Sequence, residues 1–306
     1  MPATVSIIIP AFNAAPYIIE AIDSALKQTQ AVHEIIVVDD GSTDNTPEIA
    51  ALRKAKITLL RQTNQGVSIA RNRGARESTG EWLLFLDADD RLLPMAVELL
   101  LQRAGQGAFG VVYGQSVFIT DHQTPRLHGT ANAEGPIPTA ACAAFWRSMM
   151  STPGAALVRK ELFTNVGGFC PLYDTVADRD FWIRAGMVSA FGFTPFPVIE
   201  KRTHGTNMSI DRNRSRMQAI KVQFGILAWC SARGLDSSCF KVTARVILEN
   251  ALHHAINENS IPAAQWICQE AATQHVSSFK IFRARILLAM PSRIRRLAQF
   301  AYRWGN

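Results

Sequence analysis

Ile35-Ile36-Val37-Val38-Asp39-Asp40-Gly41-Ser42-Thr43-Asp44 is the stretch on which the fold turns. Four β-branched apolar residues in a row read as a strand buried on both faces, the kind found inside a parallel sheet. The run stops at two aspartates and a glycine. Ser42, Thr43 or Asp44 can then cap a helix from Thr46 to about Lys54. Upstream, Val5 to Pro10 is a second such run. Pro16 opens a helix with Tyr17, Ile18, Ala21, Ile22, Ala25 and Leu26 along one face. Downstream, Ile57 to Leu60 predicts a third strand, Val67 to Ser78 a helix, and Trp82 to Leu86 a fourth strand ending in Asp87-Ala88-Asp89-Asp90. This alternation predicts an α/β fold with an open, mostly parallel sheet flanked by helices. Ligands of such sheets bind beyond the carboxyl ends of the strands, where both acidic clusters fall.

Further along, Phe109 to Ile119 reads as a strand or hairpin pair. Gln123 to Pro138, rich in Pro, Gly, Thr and His, reads as a mobile loop. Gly167-Gly168-Phe169 with Pro171 predicts a turn, and Asp178 to Met187 a short helix. Beyond residue 212 the chain becomes a series of Ala- and Leu-rich helices. The expected organisation is a domain over 1–211, with halves 1–110 and 111–211, and a helical C-terminal region over 212–306.

The 306 residues, 48% hydrophobic and 19% charged, have an ordinary globular balance. The net charge of +7 is concentrated: Lys280 to Arg303 holds seven basic residues and no acidic one. A nearly neutral body argues against a nucleic-acid binder. The five scattered cysteines have no C-x-x-C pair, so reduced core thiols are expected rather than disulfides or zinc. The early strand predicts no signal peptide, and no apolar run approaches the ~20 residues needed to span a bilayer. A cytoplasmic protein is expected, with the option of a peripheral site on the inner membrane face.

Two carboxylates two residues apart, Asp87 and Asp89, can share a divalent cation with a phosphate ligand. Hard oxygen donors favour Mg2+ or Mn2+. An isolated cluster of this kind is more often a capping or turn feature, and Asp90 is expected to cap the helix near Pro94. Asp39 and Asp40 can accept hydrogen bonds from a nucleobase or ribose, or simply shape a turn.

Taken in series, these motifs resemble the inverting family 2 glycosyltransferases of the GT-A fold. The resemblance is carried by Pro10-Ala11-Phe12-Asn13, Val37 to Asp44, Asn64-Gln65-Gly66-Val67-Ser68-Ile69-Ala70-Arg71-Asn72-Arg73-Gly74, and Phe85 to Asp90. It continues through Gly167-Gly168-Phe169 and Asp178-Arg179-Asp180-Phe181-Trp182-Ile183-Arg184, ending near His204-Gly205-Thr206-Asn207-Met208-Ser209. It implies a metal-dependent enzyme moving a sugar from a nucleotide-sugar, with UDP the commonest nucleotide, to a saccharide or lipid-linked acceptor in bacterial cell-surface polysaccharide or glycolipid synthesis. It assigns donor binding to Pro10, Ala11, Phe12, Asn13, Asp39, Asp40, Asn64, Gly66, Arg71, Asp87 and Ala88. Asp89 would ligate the metal, His204 would contact metal or diphosphate, and Asp178 would be the catalytic base. Within the donor set, Ala11, Phe12 and Asp40 would hold the base, and Arg71 would approach the diphosphate.

Two departures stand out. Phe12 replaces a common tyrosine, which keeps stacking and loses a hydroxyl. Ala177 replaces the glutamate that usually precedes the base, which keeps a non-catalytic nucleotide-sugar-binding protein in view. Asp180 is a competing carboxylate. A nucleotidyltransferase would need a Gly-rich basic loop after the first strand, which Ala11-Phe12-Asn13 does not provide. The basic C-terminal run, broken at Pro291, can lie on an anionic membrane or pack on the enzyme. The Gln299, Arg303 and Trp304 spacing is one residue too long for the motif of processive members, so single-sugar transfer is expected.

Overall fold

A computed structural model describes residues 3–120, 123–129, 152–203, 212–257, 260–273 and 279–289. It forms two compact units, Met1–Ile210 and Asp211–Asn306. The first is built on one nine-stranded sheet of order β3-β2-β1-β4-β8-β6-β9-β5, with β7 added to β6. The strands are β1 (Val5–Ala11), β2 (Glu34–Asp39), β3 (Thr58–Arg61), β4 (Trp82–Phe85), β5 (Arg91–Leu92), β6 (Phe109–Thr120), β7 (Gln123–His128), β8 (Ala156–Arg159) and β9 (Ala190–Arg202). β3, β2, β1 and β4 run parallel, whereas β4–β8, β8–β6 and β9–β5 are antiparallel and β6–β9 parallel. The sheet is therefore parallel in its first half and mixed in its second.

Parallel strands need crossovers, supplied here by α1 (Ile18–Leu26), α2 (Thr46–Ala51) and α3 (Val67–Glu77). One face of the sheet carries Ile7, Ile9, Ile35, Val37 and Leu84, packed against Ile18 and Ile22 of α1 and Val97 and Leu100 of α4 (Ala96–Ala104). The opposite face carries Ile36 and Val38 against Ala70 of α3. Each fully buried isoleucine contributes roughly 1.5–3 kcal/mol relative to exposure, so these alternating rows fix the register. α3 lies close on the sheet because Gly74 has no side chain: a Cβ there would stand 2.4 Å from Ile8 Cγ2. On the same face as α3, Phe85 meets Phe163 of α5 (Lys160–Val166), at 5.1 Å between rings. α6 (Ala177–Gly186) follows.

The segment expected to be a mobile loop is in part a strand, β7, which runs antiparallel to the far end of β6. Its Pro125 lies where the register shifts, and β7 pairs with no other described strand, a position in which proline is tolerated. The remainder of that expected loop lies outside the described residues. Phe109 to Thr120 is one long strand, not a hairpin.

The second unit consists of α7 (Arg212–Ala232), α8 (Ser238–Asn257), α9 (Ile261–Thr273) and α10 (Phe279–Ala289). Val222, Ile226 and Cys230 repeat every fourth residue on α7, as do Leu248, Leu252 and Ile256 on α8, and all are buried. These stripes make a helical core of their own. No described helix is long and apolar enough to cross a membrane. Of the basic run, residues 290–303 lie outside the described part.

Candidate active site

Parallel pairing aligns the strand ends. Ala11 is in register with Asp39, and Asp39 with Arg61. The Asp40 amide donates to the Ala11 carbonyl at 2.8 Å, and the Leu86 amide to the Ile8 carbonyl at 2.9 Å. The chain segments that leave β1, β2 and β4 thus emerge side by side on one rim.

Pro10 and Ala11 are buried at the end of β1, and Phe12 and Asn13 are exposed beyond it. Asn13 adopts φ 49°, a left-handed conformation that asparagine tolerates. Its amide donates to Ser42 Oγ at 3.0 Å, and its Oδ1 accepts from the Thr43 amide at 2.9 Å. Next to it, the Ala14 amide donates to Thr46 Oγ1 at 2.8 Å and the Ala15 amide to Asp44 Oδ2 at 3.2 Å. The loops after β1 and β2 are therefore one hydrogen-bonded body. Phe12, 48% exposed, is left as an open aromatic face beside it.

Asp39 is fully buried, accepting from Arg61 Nε at 3.1 Å and from the Ser42 amide at 3.3 Å. Asp40 takes Gln62 Nε2 at 2.7 Å and the amides of Gln65 at 3.0 Å and Gly66 at 2.8 Å. It holds the entry to α3, where Gly66 has φ 90°. Asn64 is exposed on the same connection. Gly41 also has positive φ, and a Cβ there would meet the Asn64 amide nitrogen at 2.7 Å.

Arg71, on α3, is buried. Its Nη2 donates to Asp87 Oδ1 at 2.5 Å, and its guanidinium lies 5.1 Å from the centre of the Phe169 ring. Its Nε is buried without a hydrogen-bond partner. Asp87 and Asp89 are half-exposed, and Ala88 between them is buried. Asp90 is not a helix cap. It is buried, accepting the Arg202 amide at 2.9 Å and bonded to the Thr152 hydroxyl at 3.2 Å, while α4 begins only at Ala96. Burial first, then the charges of Asp87 and Asp89, push its carboxyl well above the usual range. Thr152 also reaches Asp87 Oδ2 at 3.3 Å.

Asp178 lies in the first turn of α6, half-exposed, with Oδ1 2.8 Å from the Arg179 amide. Asp180 points elsewhere: it is buried and ion-paired with Arg184, Nη2 to Oδ2 at 2.5 Å. Burial raises its carboxyl and the arginine pulls the other way. Ala177 is buried. The loop before α6 is tied to α3 by Ser68 Oγ, which donates to the Tyr173 carbonyl at 3.1 Å. His204 lies outside the described residues.

Among the described residues no three His, Cys, Asp or Glu side chains form a metal cage. The turn after β4 does supply two half-exposed carboxylates, with a third buried carboxyl repelled by both. That is the hard-oxygen donor set Mg2+ uses when substrate phosphates complete its coordination, so these residues fit a divalent cation.

The sequence profile described as glycosyl transferase family 2 matches residues 6–167, more than half of the chain, and covers the carboxyl ends of β1, β2, β3 and β4 but not Phe169, the segment leading to Asp178 or the end of β9. The chain belongs to glycosyl transferase family 2.

Within this glycosyltransferase family, a protein of Haemophilus influenzae named as a glycosyltransferase is 29% identical over 217 residues, 66% of this chain and 67% of its own length. Bacillus subtilis EpsJ, also named as a glycosyltransferase, is 41% identical over 130 residues, covering 40% of this chain and 38% of EpsJ. Escherichia coli YibD is 43% identical over 102 residues, 32% of this chain and 30% of YibD. The matched part thus spans two-thirds of the first relative and about a third of the others. The fold matches that of TarS from S. aureus, with a TM-score of 0.72 and 18% identity in its complex with UDP-GlcNAc. That match covers 99% of this chain and 92% of the other. A second TarS structure, with UDP, gives 0.69 at 17% identity over the same shares. The architecture is the GT-A type.

Sequence reasoning named no role for Phe169, Asn72, Thr152 or Arg184, which the structure places under or between the candidate residues. Asn72 clamps Phe169 from both sides: its Nδ2 donates to the Phe169 carbonyl at 2.8 Å, and the Phe169 amide donates to its Oδ1 at 2.9 Å.

Proposed function

We propose that this glycosyltransferase transfers a sugar from a nucleoside diphosphate donor, UDP-linked, to an acceptor hydroxyl with inversion, one sugar at a time, in cell-surface polysaccharide or glycolipid synthesis. The observation that carries the reading is the packing of α6 against the donor-side residues. Phe181 of α6 lies 4.8 Å from the Phe169 ring on which Arg71 rests, and Ser68 holds the loop leading to Asp178. A carboxylate able to take a proton and an arginine able to meet a diphosphate are thereby mounted on one piece of structure. The UDP and UDP-GlcNAc complexes of TarS support UDP as the nucleotide.

Phe12 offers a stacking face for the base, and Asp40 holds the connection that leads into α3. Asp89, with Asp87 beside it and His204 in support, would hold Mn2+ or Mg2+. Such an ion supplies positive charge for the departing diphosphate. Asp178 takes the proton of the acceptor hydroxyl as its oxygen bonds to the anomeric carbon on the face opposite the diphosphate. The bond from that carbon to the diphosphate oxygen breaks, and its electron pair leaves with the nucleoside diphosphate. Arg71 faces that charge from a buried position, where it acts more strongly than in water. One displacement gives inversion. Where the acceptor is lipid-linked, the basic run from Lys280 would hold the enzyme to an anionic surface.

The test is a thermal-shift series with UDP, GDP, CDP and dTDP, with and without Mn2+, followed by transfer assays of Asp178→Asn. Stabilisation by UDP only with metal, and loss of transfer with retained UDP binding in the variant, are expected. Full turnover by Asp178→Asn sinks the base assignment. Donor binding without transfer or donor hydrolysis in the unaltered protein moves the reading to a nucleotide-sugar-binding protein, the alternative that Ala177 favours.

A further inference from the structure

The Asp180–Arg184 pair is buried, with side chains only 4% and 7% exposed, and takes no part in the chemistry proposed above. A buried ion pair is weak evidence for stability, because desolvation offsets the attraction. Arg184 turns its remaining donors on the segment between α5 and α6: Nη1 bonds the Val166 carbonyl, and Nη2 the Gly168 carbonyl at 2.8 Å. Gly167 and Gly168 have φ 88° and 66°, and this left-handed pair turns the backbone so that both carbonyls are presented to Arg184. The next residue is Phe169. Its backbone is held by Asn72, and its fully buried ring meets Phe181 at 4.8 Å, Phe85 at 5.0 Å and the Arg71 guanidinium at 5.1 Å. Arg71 then bonds Asp87.

We propose that Asp180 and Arg184 are positioning residues that fix Phe169 as a shared platform, so that α6, carrying Asp178, and Arg71 with Asp87 hold one mutual geometry. The inference rests on the donor and base assignments made above. Asp180 acts through Arg184 and Phe169, and does not exchange protons with the acceptor. The pair sets alignment between the two halves of the reaction, a quantity to which transfer rates are sensitive when reacting groups move by a fraction of an ångström.

Two cuts at different points of the chain test it. Asp180→Asn keeps the shape and one acceptor oxygen but weakens the hold on Arg184. Asn72→Ala leaves the buried pair whole and releases Phe169. Amide hydrogen exchange of the full chain reads the coupling without any ligand. Both variants are expected to speed exchange about tenfold or more at residues 68–74 as well as at 166–170, with β1 and β2 unchanged. UDP binding with Mn2+, measured by calorimetry, is expected to weaken several-fold in both. Transfer turnover is expected to fall by about tenfold to a hundredfold while the acid limb of the pH profile stays where it is. In a double-mutant cycle, Arg71→Lys is expected to weaken UDP binding less in the Asn72→Ala background than in the unaltered protein.

Exchange changes confined to α6 and residues 166–170, with additive binding effects, overturn the proposal and leave a structural pair. Loss of the acid limb in Asp180→Asn overturns it as well and makes Asp180 the base. Should Asp180→Asn fail to fold, Arg184→Lys, which keeps the charge but loses the bonds to the Val166 and Gly168 carbonyls, decides by the same exchange readout at residues 68–74. A protein that ignores UDP altogether removes the donor assignment, and hydrogen exchange then still decides whether the platform is coupled.

Discussion

Asp87, Asp89 and Asp90 are three carboxyl groups within four residues, yet their surroundings divide their work. Asp90 is buried, pinned to the Arg202 amide and Thr152, while Asp87 is committed to Arg71 and Asp89 is half-exposed. Asp89→Ala is expected to abolish the Mn2+-dependent part of UDP binding while leaving the melting temperature of the nucleotide-free protein within a few degrees, because a half-exposed side chain is removed. Undiminished Mn2+ dependence in calorimetry would count against Asp89 as a ligand. The acidic pairs were legible because each sits in one short stretch of sequence just after an apolar strand. Asp90's true partners were not: Arg202 lies 112 positions away, and no local pattern announces a backbone amide at the end of β9. Nor was the Asn72–Phe169 clamp, which joins positions 97 apart.

At the level of elements, the turn between α5 and α6 shows how a short glycine pair is used twice. Gly167 closes α5 in the left-handed conformation with open space around it, whereas a Cβ on Gly168 would fall 2.7 Å from Asn72 Oδ1. Gly167→Ala is expected to destabilise by about 1 kcal/mol, the conformational penalty alone. Gly168→Ala carries that penalty and displaces the clamp, and is expected to be the more destabilising by a further 1–3 kcal/mol or so. Urea melts of the two variants check the order, and equal losses would mean that Asn72 moves aside freely. The elements of the first half were readable because their alternation of apolar runs and polar turns is local. β7 was not, because its Pro125 and the neighbouring Gly129 imitate a loop, and an edge strand can accept such residues.

Across the whole first unit, carboxylates tie distant parts of the chain together. Glu20 joins α1 to Arg91 and Arg202 at 3.2 and 2.8 Å, and Asp23 joins it to Arg53 at 2.8 Å. Hydrogen bonding from Arg202 lowers the pKa of Glu20, and hydrogen bonding from Arg53 that of Asp23. Burial raises the Glu34 carboxyl, but the Thr79 amide, the Ser6 hydroxyl and the Thr79 hydroxyl outweigh it, so the net shift is downward. A depressed carboxyl binds protons less tightly when folded. Its contribution is present above the ordinary values of 4.5 for Glu and 3.8 for Asp and is lost as pH falls through the folded value. The contributions of Glu20, Asp23 and Glu34 are therefore expected to fade progressively below those values, whereas the raised carboxyls of Asp90 and Asp180 act in the opposite direction. Glu34→Gln is expected to lower stability by about 1 kcal/mol at pH 7, with the gap closing in acid. Paired melts at pH 7 and pH 3.5 check it; a gap that does not narrow at the lower pH would show that shape, not charge, holds Ser6 and Thr79.

The seam between the loops after β1 and β2 has a consequence for heredity and engineering. Hydrogen bonds from four backbone amides, those of Asn13, Thr43, Ala14 and Ala15, and a fifth from the Thr43 hydroxyl to Asn13 Oδ1 make residues 12–15 and 42–46 interlock like the two wards of a key. A replacement for residues 42–46 that lacks Ser42, Asp44 or Thr46 strands the amide of Asn13, Ala15 or Ala14, and one for residues 12–15 that lacks Asn13 strands the Thr43 amide. Grafting a foreign loop onto this scaffold is thus a two-segment transplant, and natural drift at Asn13, Ser42, Asp44 or Thr46 is expected to leave matching changes across the seam.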